Sequence, residues 1–165
     1  MRSIADCSAL ESAGLWRIVN DDVMGGRSVS RVEATSRGSI LFSGEVSLAN
    51  RGGFASMRTN PRALGLQADD VLLAKVRGDG RRYLLNLYTR GAPIGFSHRA
   101  PFETLPGEWL EVRVPLGRFE ATSFGVAIAR AAPIRPVNVE SVGIMVSDGR
   151  PGPFSLELAA LGVVT

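Results

Sequence analysis

The sequence predicts an all-β domain, two antiparallel sheets packed in jelly-roll style, on three observations. Apolar and polar residues alternate with period two through most segments, as in strands buried on one face. Turn signals such as Gly25-Gly26, Gly52-Gly53, Gly78-Asp79-Gly80 and Pro106-Gly107 recur, often about every ten residues, the spacing of a sandwich or barrel. Helical periodicity is nearly absent. With 165 residues and no internal repeat or long linker, the chain is expected to form one domain over residues 1–165.

Taken in order, the elements are justified as follows. Residues 8–14 carry the best candidate for a short helix, and 61–66 suit a single helical turn. Residues 29–34 read as a strand. In residues 40–48, Ile40, Phe42, Val46 and Leu48 form an inward series, with Gly44 within it marking a bulge or a close approach. Residues 54–59 and 71–77 follow as strands. The Gly78-Asp79-Gly80 turn then suggests a tight hairpin from 71–77 into 82–89, because glycine accepts positive φ. Tyr83, Leu85 and Leu87 alternate with Leu84, Asn86 and Tyr88. Residues 94–98, 109–114, 139–146 and 154–159 complete a set of about eight to ten short strands, enough to close two sheets over one core.

Composition excludes several functions. The formal net charge is +3, and the basic residues, all Arg except Lys75, are scattered along the chain. A nucleic-acid binder concentrates such charge on one face, so none is expected here. No apolar run approaches the length of a membrane span. The first residues lack the apolar core of a signal peptide, and Cys7 is the only cysteine, so the expected setting is cytoplasmic and reducing. His98 is the only histidine, which leaves no Cys–His or nucleophile-elbow arrangement; no catalytic residue and no catalytic metal are expected, and the chain is read as a non-enzyme.

Binding chemistry remains. Asp21, Asp22, Arg27 and Ser28 surround the first glycine pair. Arg58, Arg77, Asp79 and Tyr83 lie at other strand ends, and Trp109 shares a strand face with Glu111 and Arg113. Were Arg58 and Arg77 on adjacent strands, they could clamp one anionic or hydroxylated ligand. A buried Arg–Asp pair joining the same loops is the competing structural account. Half-exposed Trp109 beside Arg77, Asp79 and Tyr83 would suit a sugar. A structural calcium held by Asp21, Asp22 and Asp148 is a further option, although no run resembles a calcium loop.

Five stretches in this order, "WRIVNDDVMGGRSVS" (16–30), "FSGEVSLANRGGFASMRT" (42–59), "VRGDGRRYLLNLYT" (76–89), "GEWLEVRVPLGRF" (107–119) and "VESVGIMVSDGRPGPFSLEL" (139–158), resemble the complex I intermediate-associated protein family over about residues 15–162. The resemblance implies a galactose-binding-like jelly-roll fold. It also implies a non-enzymatic assembly-factor role, since mitochondrial members assist assembly of respiratory complex I. Bacterial members stand alone, and without a presequence-like start this chain is expected to be bacterial. Residues 120–136 match loosely. On this frame, 16–19 is a strand and 20–28 the following turn, with Val23 and Met24 plugging the sandwich end while Gly25-Gly26 adopts angles a Cβ forbids. The leading functional expectation is a module that binds a protein partner during assembly of a membrane complex; the alternative is a carbohydrate- or small-ligand-binding module.

Overall fold

Period-two alternation has one outcome in three dimensions: each strand presents an apolar face, and two such faces must bury each other. A computed structural model describing residues 1–165 has this architecture, with thirteen strands. They are β1 (Arg2–Ala5), β2 (Trp16–Ile18), β3 (Val29–Ala34), β4 (Ile40–Val46), β5 (Ala55–Thr59), β6 (Val71–Arg77) and β7 (Arg82–Thr89). After them come β8 (Phe96–Glu103), β9 (Trp109–Pro115), β10 (Glu120–Ser123), β11 (Val126–Ala127), β12 (Val139–Val146) and β13 (Gly152–Val164). One six-stranded sheet runs β3-β4-β13-β6-β9, with β1 pairing β13; one seven-stranded sheet runs β11-β10-β8-β7-β12-β5-β2. All pairings are antiparallel.

The core lies between the sheets. Ile40 and Phe42 of β4, Leu72 of β6 and Leu156 and Leu158 of β13 meet Met57, Tyr83, Leu85, Leu87 and Ile144 of the other sheet, all fully buried. The Phe42 and Phe154 rings pack 4.9 Å apart. Each such side chain contributes about 1.5–3 kcal/mol by leaving water. The inward phase of β13 changes from Leu156 and Leu158 to Leu161 and Val163, because its pairing with β6 slips between Leu158 and Ala160. That bulge lets one strand serve β4 with its first half and β1 with its second.

Several expectations are corrected. Strands β6 and β7 do not form a hairpin: β6 pairs with β13 and β9, β7 with β12 and β8. The Gly78-Asp79-Gly80 turn is an arch between sheets, with Gly80 at φ 92° and Gly78 packed on Thr104, where a Cβ would lie 2.5 Å from the threonine side chain. The short helix at 8–14 is a 3-10 helix at Leu10–Leu15, and 61–66 forms no helical turn but threads Leu64 and Leu66 into the core. Strand β8 begins two residues later than expected and extends to Glu103. Strands β1, β10 and β11 carried no usable alternation. Gly44 marks a close approach rather than a bulge, since a Cβ there would strike the backbone of Val29 and Ser30.

Candidate functional site

The stretch Asn20–Ser28 is an internal fastening. Asp21 is fully buried, and its carboxylate accepts hydrogen bonds from the N–H of Ser28 (2.9 Å), the hydroxyl of Ser28 (2.6 Å), and the N–H groups of Gly53 (2.7 Å) and Phe54 (3.3 Å). Burial pushes this carboxyl up, but the bonds from Ser28, Gly53 and Phe54 outweigh it and hold the group below its ordinary value. The two glycine-rich blocks close over it. A Cβ at Gly26 would lie 2.6 Å from one Asp21 oxygen, and a Cβ at Gly52 2.5 Å from the other. Asn50 adds a bond from its amide to Gly25 O at 3.1 Å. Because Asp21 draws the 3-10 turn Asp21–Met24 inward, Val23 and Met24 point outward. They are 70% and 53% exposed, so they do not plug the sandwich end as the sequence suggested.

Those two residues form one rim of a cleft of about 700 Å³ on the outer face of the seven-stranded sheet. Leu48, Ile94 and Phe124 continue the exposed apolar rim from other loops. The floor follows from strand register. Arg17, Arg58, Gly143, Asn86 and Arg99 are successive partners across β2, β5, β12, β7 and β8. Arg58 reaches along this row until its guanidinium carbon stands 4.1 Å from the Tyr88 ring centroid. Gly143 permits the approach: a Cβ there would lie 3.0 Å from Tyr88 Cε2 and 3.2 Å from Arg58 Cβ.

The floor is cationic and lacks an anion. No Asp or Glu lines the cleft, and Arg17, Arg51, Arg58 and Arg99 join none of the chain's ion pairs. Burial lowers the affinity of Arg58 and Arg99 for their protons, and it pushes the Tyr88 hydroxyl up, opposed by the charges of Arg58 and Arg99. Arg58 Nε, Tyr88 Oη and Asn86 Nδ2 are buried without a partner, three of six such atoms in the chain. A folded protein pairs nearly all such groups, so a cluster of orphans needs a reason. Arg51 and Phe124, both lining the cleft, hold left-handed backbone at φ 59° and 47°. Strain of that kind collects at functional loops.

Among the ligand-binding candidates named from sequence, Arg58 alone lines this cleft. Asp21 and Ser28 belong to the fastening below it; Asp22 and Arg27 are exposed beside it. Arg77 is on the opposite sheet from Arg58, so the two form no clamp; it pairs with Glu157 at 2.6 Å and lies 5.1 Å from the Trp109 ring centroid. Trp109 is half-exposed on that sheet, away from Tyr83. The Tyr83 ring is core, and its hydroxyl donates to Asp79 at 3.0 Å, while Asp79 also accepts from Ser155 N at 2.8 Å. The buried Arg–Asp pair exists, but between Arg81 and Asp148 (2.6 Å), with Arg81 also donating to Gly152 O and Pro153 O. Asp148 and Asp21 thus serve separate corners, and no group of three acidic, His or Cys side chains converges to hold calcium. His98 is a buried β8 residue whose Nδ1 has no partner.

Sequence reasoning missed Tyr88, Arg99, Arg51 and Phe124. The outward phase of β7 pointed to Tyr88. Arg99 fell just beyond the expected end of its strand, and Arg51 and Phe124 sit on loops without periodicity.

A family model described as Complex I intermediate-associated protein 30 matches residues 5–158 of this fold. The chain belongs to that family. It is 27% identical to the mitochondrial member from Drosophila melanogaster over 97% of the chain and 62% of the relative. It is 30% identical to the probable member from Caenorhabditis elegans over 93% of the chain and 51% of the relative, and 25% identical to the Mus musculus member over 94% and 53%. The chain therefore spans about half to three-fifths of the length of these curated relatives. All three relatives are mitochondrial by name and none is bacterial, so they lend nothing to the bacterial, cytoplasmic expectation. No helix is long and apolar enough to cross a membrane. The fold is also that of the family 11 carbohydrate-binding module of a Clostridium thermocellum cellulase (TM-score 0.66, 11% identity, 96% of this chain and 94% of that one) and of part of the agarase AgWH50C (0.70, 10%, 100% and 26%).

Proposed function

We propose that this chain is a non-catalytic binding module that holds a protein partner during assembly of complex I or a related membrane complex, and that the cleft over β5, β12, β7 and β8 is where it binds. One observation carries the reading: half-buried arginines without carboxylate partners on the floor, framed by exposed apolar residues. Apolar patches rimming a polar centre are how proteins grip one another. The setting follows the relatives' names, mitochondrial or otherwise facing a respiratory membrane; the cytoplasmic alternative rests on Cys7, one buried thiol that needs no oxidising compartment.

The test is deletion of the gene in its native host, followed by native-gel analysis of complex I. Loss of the mature complex with build-up of a smaller intermediate, restored by the wild-type chain, supports the reading. Unchanged complex I, with the host's other respiratory membrane complexes also unchanged on the same gel, refutes it. The carbohydrate alternative depends on Phe124, 65% exposed, because Arg58 already covers the Tyr88 ring. Titration with mixed-linked β-glucan oligosaccharides separates the two: binding lost in Phe124→Ala would favour the sugar.

A further inference from the structure

We infer that the cleft receives an apolar segment of the partner that carries one Asp or Glu, and that this carboxylate sits on the floor between Arg58 and Arg99. The inference deepens the protein-binding reading and rests on it. Its first ground is charge complementarity. Arg58 and Arg99 lie in one cross-strand row, three strand steps apart, or about 14 Å between backbones. Arg58 closes most of that gap by lying over Tyr88 on the strand next to Arg99. Arg99 is steered by Ser97, whose hydroxyl accepts from its Nε at 3.2 Å. The nearest acid in the row, Glu120, is in register with Arg99 yet forms no ion pair with it. Two half-buried cations without an anion are costly in the free chain, and a carboxylate with its planar acceptor pair is the natural complement of a guanidinium.

The second ground is the distribution of polarity. Arg58 and Arg99 occupy the floor, whereas Met24, Leu48, Ile94 and Phe124, with Arg51 beside them, form the rim. A peptide with apolar residues flanking one acid matches both layers.

The experiment uses the full chain and an array of 12-residue peptides tiling the host's complex I subunits, followed by calorimetry on soluble copies of those that bind. Bound peptides should carry Asp or Glu between apolar residues. Glu→Gln or Asp→Asn in the peptide should weaken binding at least about tenfold, and Arg58→Gln or Arg99→Gln in the chain should do the same. Arg58→Lys should recover part of the loss, since charge returns without the planar fork. Thermal melts of each variant establish that it is folded. Capture of no peptide, capture of peptides without an acid, or indifference to the Gln variants overturns the inference. So does arginine-dependent binding to phosphatidylserine vesicles in place of peptides. If the Arg58→Gln, Arg99→Gln chain restores complex I fully in the deletion strain, this inference fails while the assembly role stands. If the deletion itself is harmless, the assembly role fails.

Discussion

Asp21→Ala should be strongly destabilising. Its carboxylate is the acceptor for two short backbone bonds, from Ser28 and Gly53, and a longer one from Phe54. The Ser28 hydroxyl has an alternative acceptor in Ser47 O at 3.3 Å, so its loss counts for less. Each buried N–H left without an acceptor costs about 1–3 kcal/mol. Two strong ones and part of a third amount to about 3–5 kcal/mol, a large share of the ~5–15 kcal/mol that holds a domain of this size together. Equilibrium urea unfolding measures it. Asp21→Asn keeps the shape but turns an N–H₂ toward the same donors, and about 2–3 kcal/mol should go. Gly52→Ala should destabilise the wild type, because its Cβ would stand 2.5 Å from Asp21 Oδ2, and should cost far less in the Asp21→Ala background. The pH dependence has a definite sign. Asp21 is held below the ordinary value in the fold, so the unfolded chain binds the proton first. Its contribution is complete above about pH 4 and is lost as pH falls below that, and Asp21→Asn should flatten this part of the profile. A loss under about 1 kcal/mol for Asp21→Ala, or strict additivity with Gly52→Ala, would refute the fastening.

Other outcomes follow from the same geometry. Arg58→Met should leave stability unchanged or raise it by about 1 kcal/mol in urea, since a desolvated guanidinium without a carboxylate is replaced by an apolar chain; a clear loss would make Arg58 structural. Arg81→Lys should cost about 2–4 kcal/mol, because one ammonium cannot reproduce the forked contact to Asp148 (2.6 and 2.9 Å) together with the carbonyls of Gly152 and Pro153. Cys7 is buried and its thiol is pushed up to about 12 by that burial and by Asp6, so an aromatic disulfide reagent should label it only as the chain unfolds; rapid labelling of the native protein would contradict the packing of β1.

The limits of sequence reading show in particular residues. Tyr83 and Tyr88 belong to one strand and differ by an odd number of positions, so alternation alone sends one to the core and the other to the outer face. The sequence reading nevertheless chose Tyr83 as a ligand contact, because the chemistry of a phenol is the same on either face. The Arg58–Arg77 clamp failed for a related reason. Both are strand residues near turns, and nothing local says that β5 and β6 enter different sheets. Asp21 was read as a turn residue and a ligand candidate. Its actual partners, Gly53 and Phe54, are more than thirty positions away.

By itself the sequence determined the strand character of most of the chain, the alternation that makes two sheets bury each other, and the family. These depend on neighbours one or two residues apart, or on composition, and need no knowledge of what lies across the fold. Tertiary structure alone decided that Gly78-Asp79-Gly80 is an arch, that Asp21 fastens two loops, and that Arg58, Tyr88 and Arg99 share one floor. Each of these is set by which strands pair, and pairing is chosen by the burial of the whole apolar surface rather than by any local run of residues.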